Sequence, residues 1–292
     1  ITLSFLNQKI LSKFSLFFFV IAFLSLLLVP FLGTEVKGSK RWLELLFLPR
    51  FQPVEIVKPF FIVVLSLMLT IQNKRLYFKY FLSTLFLLPI LMLLVYQPDI
   101  GQTLLIAMVW LALIFVSGIN LLVFFIFFLL IGSIVSYLVM FIPKFEYIKI
   151  RLLAFFNSSS GDNYQAEKAS DAIINGGFFG KGIGEGTLNS RVPEAHTDYI
   201  VSVISEEFGA IIVITILLLY LVFSYKVIKK ISFLNEDLPK LVLIGCISLI
   251  LLQTFIHIGV NIRILPTTGM TLPFLSYGGS SIVSTAILSG II

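Results

Sequence analysis

The sequence is poor in the residues on which most metal and nucleophile motifs depend. It has one cysteine, two histidines and 12% charged residues in 292 positions. A single cysteine, Cys246, allows no internal disulfide. There is no His/Cys cluster with zinc spacing, no Asp-x-Asp pair and no Gly-x-Ser-x-Gly motif. These absences argue against a zinc centre, a serine hydrolase and an enzyme that presents an acidic pair to a metal-bound nucleotide sugar.

Apolar residues dominate instead. They make up 58% of the chain, with 30 Phe, and the mean hydropathy is +1.05. They recur in runs of about 17 to 22 residues, the length of a helix that crosses a bilayer core of about 30 Å. The sequence therefore predicts an all-α, polytopic helical membrane protein. The net charge of +6 suits basic cytoplasmic loops, and nucleic-acid binding is not needed to explain it.

Eight apolar runs are visible, and together they predict a single transmembrane domain over residues 1–292. They cover residues 14–32, a second run after segment 33–59 that ends at about residue 71, then 80–96, 103–117, 121–142, 208–225, 241–259 and a final run that stops at residue 292. Because the chain opens on Ile1 and its last run stops before it could span, we expect a sequence truncated at both ends. Residues 143–198 form a connection far longer than usual, which predicts a functional loop.

The short basic turns predict the orientation. Lys74, Arg75 and Lys79 occupy one turn, and alternation of the spans puts them on the same side as Lys226, Lys229 and Lys230. By the positive-inside rule that side is the cytoplasm. Segments 33–59, 143–198 and 260–281 are then all extracytoplasmic.

Segment 191–209, RVPEAHTDYIVSVISEEFG, concentrates ionisable residues in this apolar chain. Charged groups at a bilayer edge are candidates for function. We expect Thr197 to cap the sixth span and Asp198 to lie in its first turn. A plain helix-start carboxylate is the alternative for Asp198. Glu206 and Glu207 are interpreted as interfacial anchors or ion-pair partners.

Basic and acidic residues also cluster in segment 33–59. Lys37, Lys40 and Arg41 lie beside Trp42, a pattern that suits anionic head groups or pyrophosphate, although an ordinary interfacial belt would look the same. Glu55 and Lys58 are three residues apart, so they can pair on one helix face.

Two further segments are rich in glycine. INGGFFGKGIGEG (174–186) lacks the Ser or Thr and the βαβ context of a phosphate-binding loop, so we interpret it as a flexible outer loop close to a substrate. LPTTGMTLPFLSYGGSS (265–281) predicts a broken helix that borders a site. Arg263, just before it, could meet an anion there.

Taken in order, KGSKRWL (37–43), QPVEIVK (52–58), QPDIGQTLL (97–105), NYQAEKASDAI (163–173), VPEAHTDYI (192–200), EEFG (206–209) and the 265–281 segment resemble the SEDS family (shape, elongation, division and sporulation). PEAHTDYI and TTGMTLPFLSYGGSS are closer to its division branch than to its elongation branch. The resemblance implies ten transmembrane helices, with the large outer loop between the seventh and eighth. It departs at Val54, at Lys168 and over residues 188–192.

The resemblance also implies a function. Family members polymerise peptidoglycan from lipid II in the bacterial cytoplasmic (inner) membrane, with a class B penicillin-binding transpeptidase and other division proteins as partners. The essential loop aspartate of the family falls on Asp198, and its Glu/Lys motif falls on Glu55 and Lys58. The supporting positions are His196, Glu194, Asp99, Gln165, Ser276 and Gly278.

The resulting hypothesis makes Asp198 the general base and assigns pyrophosphate binding to residues from three segments: Lys37, Lys40, Arg41, Glu55, Lys58 and Arg263. No protein metal site is expected, and a divalent cation, Mg²⁺ or Mn²⁺, is the one cofactor considered. The alternatives are a lipid II transporter and a non-catalytic scaffold of the division machinery.

Overall fold

The computed structural model describes residues 2–5, 7–36, 39–45, 48–72, 75–156, 164–187 and 194–292. Helices and three short strands form the described chain. It divides into two compact units. The first contains Ile1–Ile131, Val227–Ile250 and Gly279–Ile292, and the second contains Gly132–Lys226 and Leu251–Gly278.

Each of the eight predicted spans is a helix. The helices are α1 (Gln8–Leu32), α2 (Pro53–Leu69), α3 (Leu76–Tyr96), α4 (Ile100–Val116), α5 (Leu121–Phe141), α6 (Glu146–Phe156), α7 (Tyr164–Gly176), α8 (Ile200–Phe208), α9 (Ala210–Ser232), α10 (Asp237–Asn261) and α11 (Gly279–Ile291). Among the described helices, α1, α3, α5, α9 and α10 are long and apolar enough to cross a membrane. The other three predicted spans, α2, α4 and α11, have 17, 17 and 13 residues.

Helix α2 forms the core of the first unit. It packs against α1, α3, α4 and α11. Phe60 stacks on Phe18 of α1 and Phe61 stacks on Phe86 of α3, each with ring centroids 5.7 Å apart. A helix that is covered on all sides is apolar all round. The Glu55 and Lys58 side chains in its first turns are therefore carried into the core.

Segment 33–59 is not only a loop, and here the all-α expectation needs a local correction. It forms an antiparallel sheet of β1 (Thr34–Val36), β2 (Ser39–Leu45) and β3 (Leu48–Phe51), in the order β1-β2-β3. Leu43 of β2 pairs with Phe51 and is fully buried. Alternate residues of a strand share a face, so Arg41 lies on the face of Leu43.

The predicted long loop of the second unit contains helices α6 and α7, and α7 packs against α8. Helix α8 is a separate element of nine residues. It ends at Gly209, whose φ of 83° interrupts the helix before α9 begins. The prediction that one helix runs from Thr197 into the sixth span is therefore wrong, while the span itself, predicted from residue 208, begins at Ala210.

The segment after α10 is not helical, as the broken-helix prediction requires. Residues 262–278 run between Asn261 and α11 without regular structure. Gln253 Nε2 donates to the Thr271 carbonyl at 2.9 Å, and His257 Nδ1 lies 2.7 Å from the Met270 carbonyl. The Tyr220 hydroxyl donates to the Pro273 carbonyl. Side chains of two spans thus satisfy backbone groups that would be costly to leave unpaired at membrane depth.

Candidate active site

Asp198 lies in a turn, residues 194–199, that precedes α8. The amide groups of Thr197 and Asp198 both donate to the Glu194 carbonyl at 3.1 Å. The Thr197 hydroxyl donates to the same carbonyl at 3.2 Å, so it is not available as a helix cap. The cap position belongs to Tyr199, whose side chain makes no capping bond. The predicted N-cap at Thr197 and the placement of Asp198 inside the helix are both wrong.

Three successive carbonyls of this turn accept hydrogen bonds from a distant part of the second unit. The amide of Tyr277 donates to His196 at 2.9 Å. The Ser276 hydroxyl donates to Thr197 at 2.6 Å, and Asn261 Nδ2 donates to Asp198 at 3.1 Å. Because every one of these bonds goes to the backbone, the turn is held by its carbonyl groups. A group held in this way is preorganised for proton transfer.

The Asp198 carboxylate is half-buried and lies next to the backbone of Gly269. A Cβ atom at Gly269 would stand 3.4 Å from Asp198 Oδ2, and the φ of this glycine is +68°. Glu194 and Arg263 also have left-handed backbones, each with φ of 58°. Such residues typically cost about 1–3 kcal/mol each and concentrate at functional sites.

Ser276 connects the turn to the 262–278 segment. It is buried, and its oxygen also accepts the amide of Leu272 at 2.7 Å.

The supporting residues predicted from the sequence have different roles. His196 contributes its carbonyl, while its side chain and that of Glu194 are exposed. Gly278 directly follows Tyr277 and is half-buried.

Arg263 has a carboxylate partner. Its Nη2 atom lies 3.8 Å from Glu167 Oε1 on α7, and both side chains are more than one third exposed. An exposed pair at this distance is weak, so it would exchange readily for a stronger anion. Gln165 lies two residues before Glu167 on the same helix and is half-buried.

The first unit contains a second polar cluster, around the start of α2. Lys58 Nζ donates to Glu55 Oε1 at 2.8 Å, with side-chain exposures of 1% and 5%. Gln102 Nε2 of α4 donates to the same oxygen at 2.8 Å. The predicted Glu55–Lys58 pair is confirmed. It is buried rather than exposed, and both donors bind Oε1, while the buried Oε2 has no hydrogen-bond partner among the described residues.

The cluster continues from Gln102 to Asp99. Asp99 caps α4, since its Oδ1 accepts the amide of Gln102 at 3.4 Å. Its Oδ2 accepts from Gln52 Nε2 at 3.0 Å and lies 3.9 Å from Arg41 Nε. Arg41 Nη2 also donates to the Pro98 carbonyl at 2.6 Å. The structure thus links Arg41, Asp99, Glu55 and Lys58 in one network.

All of residues 1–292 match the family model described as cell cycle protein, FtsW/RodA/SpoVE. The chain belongs to this family. The probable peptidoglycan glycosyltransferase FtsW of Caulobacter vibrioides is 32% identical over 301 residues, 98% of this chain and 73% of the relative. That of Nitrosomonas europaea is 36% identical over 283 residues, 93% of this chain and 72% of the relative. The resemblance to the SEDS family is confirmed.

Solved structures agree with the family assignment. A chain from a structure described as a peptidoglycan synthase complex that coordinates polymerization and crosslinking has a TM-score of 0.79 and 26% identity. It matches over 99% of this chain and 82% of its own length. The rod shape determining protein RodA of Thermus thermophilus has a TM-score of 0.68 and 26% identity, over 99% of this chain and 79% of RodA. The fold is that of polytopic SEDS membrane proteins.

Some residues of this FtsW/RodA/SpoVE member were not predicted as site residues. Gln52 and Gln102 bind the buried carboxylates of the first unit, and both lie inside motifs that the sequence already showed. Asn261 has no such signal, because it lies between the apolar run 241–259 and the 265–281 motif and contacts Asp198 across 63 positions. Lys40 is exposed and its backbone pairs with Glu35. Lys37 lies outside the described residues.

The described residues do not fit a resident metal ion. Among them, no group of three or more His, Cys, Asp and Glu side chains lies close enough together to hold one. The two buried carboxylates of the first unit, Glu55 and Asp99, are already engaged with Lys, Arg and amide donors. A protein-bound metal centre therefore has no ligand set in this part of the chain.

Proposed function

We propose that this chain is a peptidoglycan glycosyltransferase that polymerises lipid II during cell division, with Asp198 as its general base. The relatives from Caulobacter vibrioides and Nitrosomonas europaea carry the glycosyltransferase activity in their names. The observation that carries the proposal is the Asp198 turn, whose three successive carbonyls are fixed by Tyr277, Ser276 and Asn261. A fixed backbone under a half-exposed carboxylate suits a base that must meet a sugar hydroxyl.

The reaction transfers one sugar chain to another. The Asp198 carboxylate accepts the proton of the 4-hydroxyl of the acceptor sugar as that oxygen attacks the anomeric carbon of the donor. The new glycosidic C–O bond forms while the bond from the anomeric carbon to the pyrophosphate oxygen breaks. The electron pair of the broken bond leaves with undecaprenyl pyrophosphate, so negative charge develops there and must be stabilised.

Exposed cations are the candidates for that stabilisation. Arg263, in the same unit as Asp198, has only a weak exposed partner, and we assign it direct pyrophosphate contact. Lys37, Lys40 and Arg41 stay candidates from the sequence; Lys40 is exposed and the Arg41 side chain is 25% exposed. Glu55 and Lys58 are buried, so we assign them a positioning role. They hold Arg41 in place through Gln102 and Asp99.

We include a divalent cation in the proposal only as an ion that binds together with the substrate. Mg²⁺ is commonly bound by one or two carboxylates together with substrate phosphates. Lipid II provides a pyrophosphate, and Asp198 provides one half-exposed carboxylate. Titration of EDTA and of Mg²⁺ or Mn²⁺ into the polymerisation assay tests this, and unchanged activity in EDTA removes the cation from the proposal.

The test of the base is Asp198→Asn in protein reconstituted with its partner transpeptidase. Gel analysis of glycan chains from labelled lipid II should show no polymer, because an amide cannot accept the proton. Asp171→Asn is the matched control, since Asp171 is an exposed residue of α7 paired with Lys168. Normal chain growth by Asp198→Asn would end the assignment of Asp198 as the base.

The same variant separates the alternatives. A transporter would still move fluorescent lipid II across a vesicle membrane after Asp198→Asn. A scaffold would still support division in cells that lack the native gene. We expect the variant to fail in division although it folds and localises normally.

The location and partners follow from the same proposal. The chain is a multi-pass membrane protein, since five described helices can span a bilayer. We propose the bacterial inner membrane, with the Asp198 turn on the outer face, where lipid-linked sugars are polymerised. A class B penicillin-binding transpeptidase and other division proteins are the proposed partners. The similar chain described as part of a peptidoglycan synthase complex supports a working assembly.

A further inference from the structure

The glycine-rich loop after α7, residues 177–187, carries apolar side chains that the protein itself does not cover. Phe178 is 71% exposed, Phe179 84% and Ile183 79%. Lys181 and Glu185 alternate with them and are exposed as well. An exposed group of large apolar side chains marks a contact surface.

This exposure is not the result of a loose loop. The amides of Lys181 and Gly182 donate to the carbonyls of Glu206 and Glu207 at 2.9 and 3.0 Å. Glu206 is fully buried, and its Oε1 accepts from Asn175 Nδ2 at 2.9 Å and from the Thr187 amide at 3.0 Å. Both ends of the loop are therefore hydrogen-bonded to the C-terminal end of α8, and we call these bonds the clasp. They fix the loop with its apolar side chains exposed.

The loop is also fixed to the start of a membrane span. Ala210 and Ile211, the first residues of α9, donate their amides to the carbonyls of Gly177 and Phe178 at 2.9 and 3.3 Å. Sixteen positions separate Ala210 from Lys226, which is about 24 Å along a helix. The hydrocarbon core is about 30 Å thick. If Lys226 lies at one membrane–water interface, then Ala210 and the loop bonded to it lie at or close to the opposite membrane–water interface.

The lipid-facing surface of α9 continues onto this loop. Ile211, Ile212 and Ile214 are exposed near the start of the helix, and exposed apolar side chains of a span face lipid. The backbone of Phe178 is bonded to Ile211 itself. The loop lies at the same depth as the start of the span, and its exposed side chains are apolar like those of α9. We therefore identify the bilayer as what covers these side chains.

We propose that residues 177–183 form an interfacial membrane anchor, in which Phe178, Phe179 and Ile183 insert into the leaflet at the N-terminal end of α9. Aromatic side chains favour the membrane interface. Lys181 can extend its amine to the head groups while its stem lies along the apolar surface. This inference does not depend on the glycosyltransferase proposal.

The anchor has a consequence for the Asp198 turn. The loop is bonded to the end of α8, and α8 has nine residues, about 13 Å of helix. The Asp198 turn directly precedes the other end of this short helix. Insertion of the loop therefore holds the carboxylate at a set height relative to the lipid surface, where a lipid-linked sugar must be met.

The test uses spin labels on the purified protein in nanodiscs of phosphatidylethanolamine and phosphatidylglycerol. Phe179→Cys and Ile183→Cys carry the label, and Glu185→Cys is the matched control from the same loop. The native cysteine, Cys246, is buried, and the unsubstituted protein measures its background. We expect labels at 179 and 183 to have a several-fold higher ratio of oxygen to nickel-chelate accessibility than the label at 185.

Two outcomes would overturn the anchor. Equal nickel-chelate accessibility at 179, 183 and 185 would put the whole loop in water. Protection of 179 and 183 from both oxygen and the chelate would mean that protein covers them, either a second copy or other parts of the chain. Circular dichroism and gel filtration of each variant verify the fold, and all three positions are exposed, so that substitution removes no packing.

Discussion

The Glu55–Lys58 pair is the most deeply buried ion pair among the described residues, with both side chains almost completely removed from solvent. Removal of one partner leaves the other charge buried without compensation, which typically costs about 3–5 kcal/mol. We therefore expect Lys58→Met and Glu55→Gln each to lower the thermal unfolding temperature strongly. The double variant should recover most of the loss, because it leaves no lone charge.

The matched control for this cycle is Lys9→Met, since Lys9 is an exposed residue of α1. Unfolding in detergent, followed by tryptophan fluorescence, measures the unsubstituted protein and all four variants. Additive losses in the double variant would mean that the two charges do not stabilise each other in the folded protein.

Gly269 offers a second prediction, on the surroundings of Asp198. Gly269→Ala should reduce glycan polymerisation, because the new methyl group would lie 3.4 Å from Asp198 Oδ2 at a backbone φ of +68°. Gly184→Ala is the control, since Gly184 has φ of +76° with no atom within 4 Å of the added Cβ. An alanine in this region costs about 1–2 kcal/mol at either site, but only Gly269 adjoins the carboxylate. An equal loss of activity in both variants would assign the effect to backbone strain alone.

The residues of the site differ in how far sequence could locate them. Glu55 and Lys58 pair across three positions of one helix, so their spacing was sufficient. Gln102 joins them across 47 positions and Asn261 reaches Asp198 across 63. Such contacts depend on how helices pack, and no local pattern encodes them. Asp198 itself was identified by motif resemblance, while its place in a turn before α8 was not.

At the scale of elements, apolar runs predicted the spans well because a membrane helix needs a long uninterrupted stretch. The sixth run, 208–225, begins within two residues of the start of α9, because Glu206 and Glu207 separate it from the residues before it. What the sequence did not predict is that the helix before this run, α8, is a separate element that ends at Gly209. The sheet of β1, β2 and β3 was missed for a different reason. Its strands have three to seven residues, too few for a clear alternation of apolar and polar positions.

The Glu206 carboxylate provides side-chain hydrogen bonds that hold the 177–187 loop and the end of α7 against α8. Glu206→Ala would remove the carboxylate oxygen that accepts from the Thr187 amide and the Asn175 side chain, and the loss of a buried hydrogen-bond partner costs about 1–3 kcal/mol per group. We expect the loop to open more often, and trypsin to cut after Lys181 about tenfold faster, because about 1.4 kcal/mol corresponds to a factor of ten. Mass spectrometry of timed digests measures this cleavage.

Glu185→Ala is the control for the clasp, since Glu185 is an exposed residue of the same loop. Its cleavage rate should stay near that of the unsubstituted protein. An unchanged rate in Glu206→Ala would contradict the idea that this carboxylate holds the loop closed.

At the scale of the whole molecule, the apolar surface requires a bilayer. Helix α5 has Val139 as its one buried residue, while Phe125, Leu129 and Phe141 are all exposed. Water would not tolerate a continuous apolar surface of this kind. The same helices say nothing about sidedness, since a span has the same composition in either direction. Only the charged turns between spans distinguish the two faces.

Sidedness is therefore the prediction that belongs to the molecule as a whole. The positive-inside rule puts Lys226, Lys229 and Lys230 in the cytoplasm, which directs the 177–187 loop and the Asp198 turn outward. In intact cells, a membrane-impermeant maleimide should label Glu185→Cys, while Glu236→Cys should react only after permeabilisation. Both positions are exposed, and buried Cys246 adds no signal of its own. The reverse labelling pattern would place Asp198 on the cytoplasmic side, where it could not polymerise sugars exported on a lipid carrier.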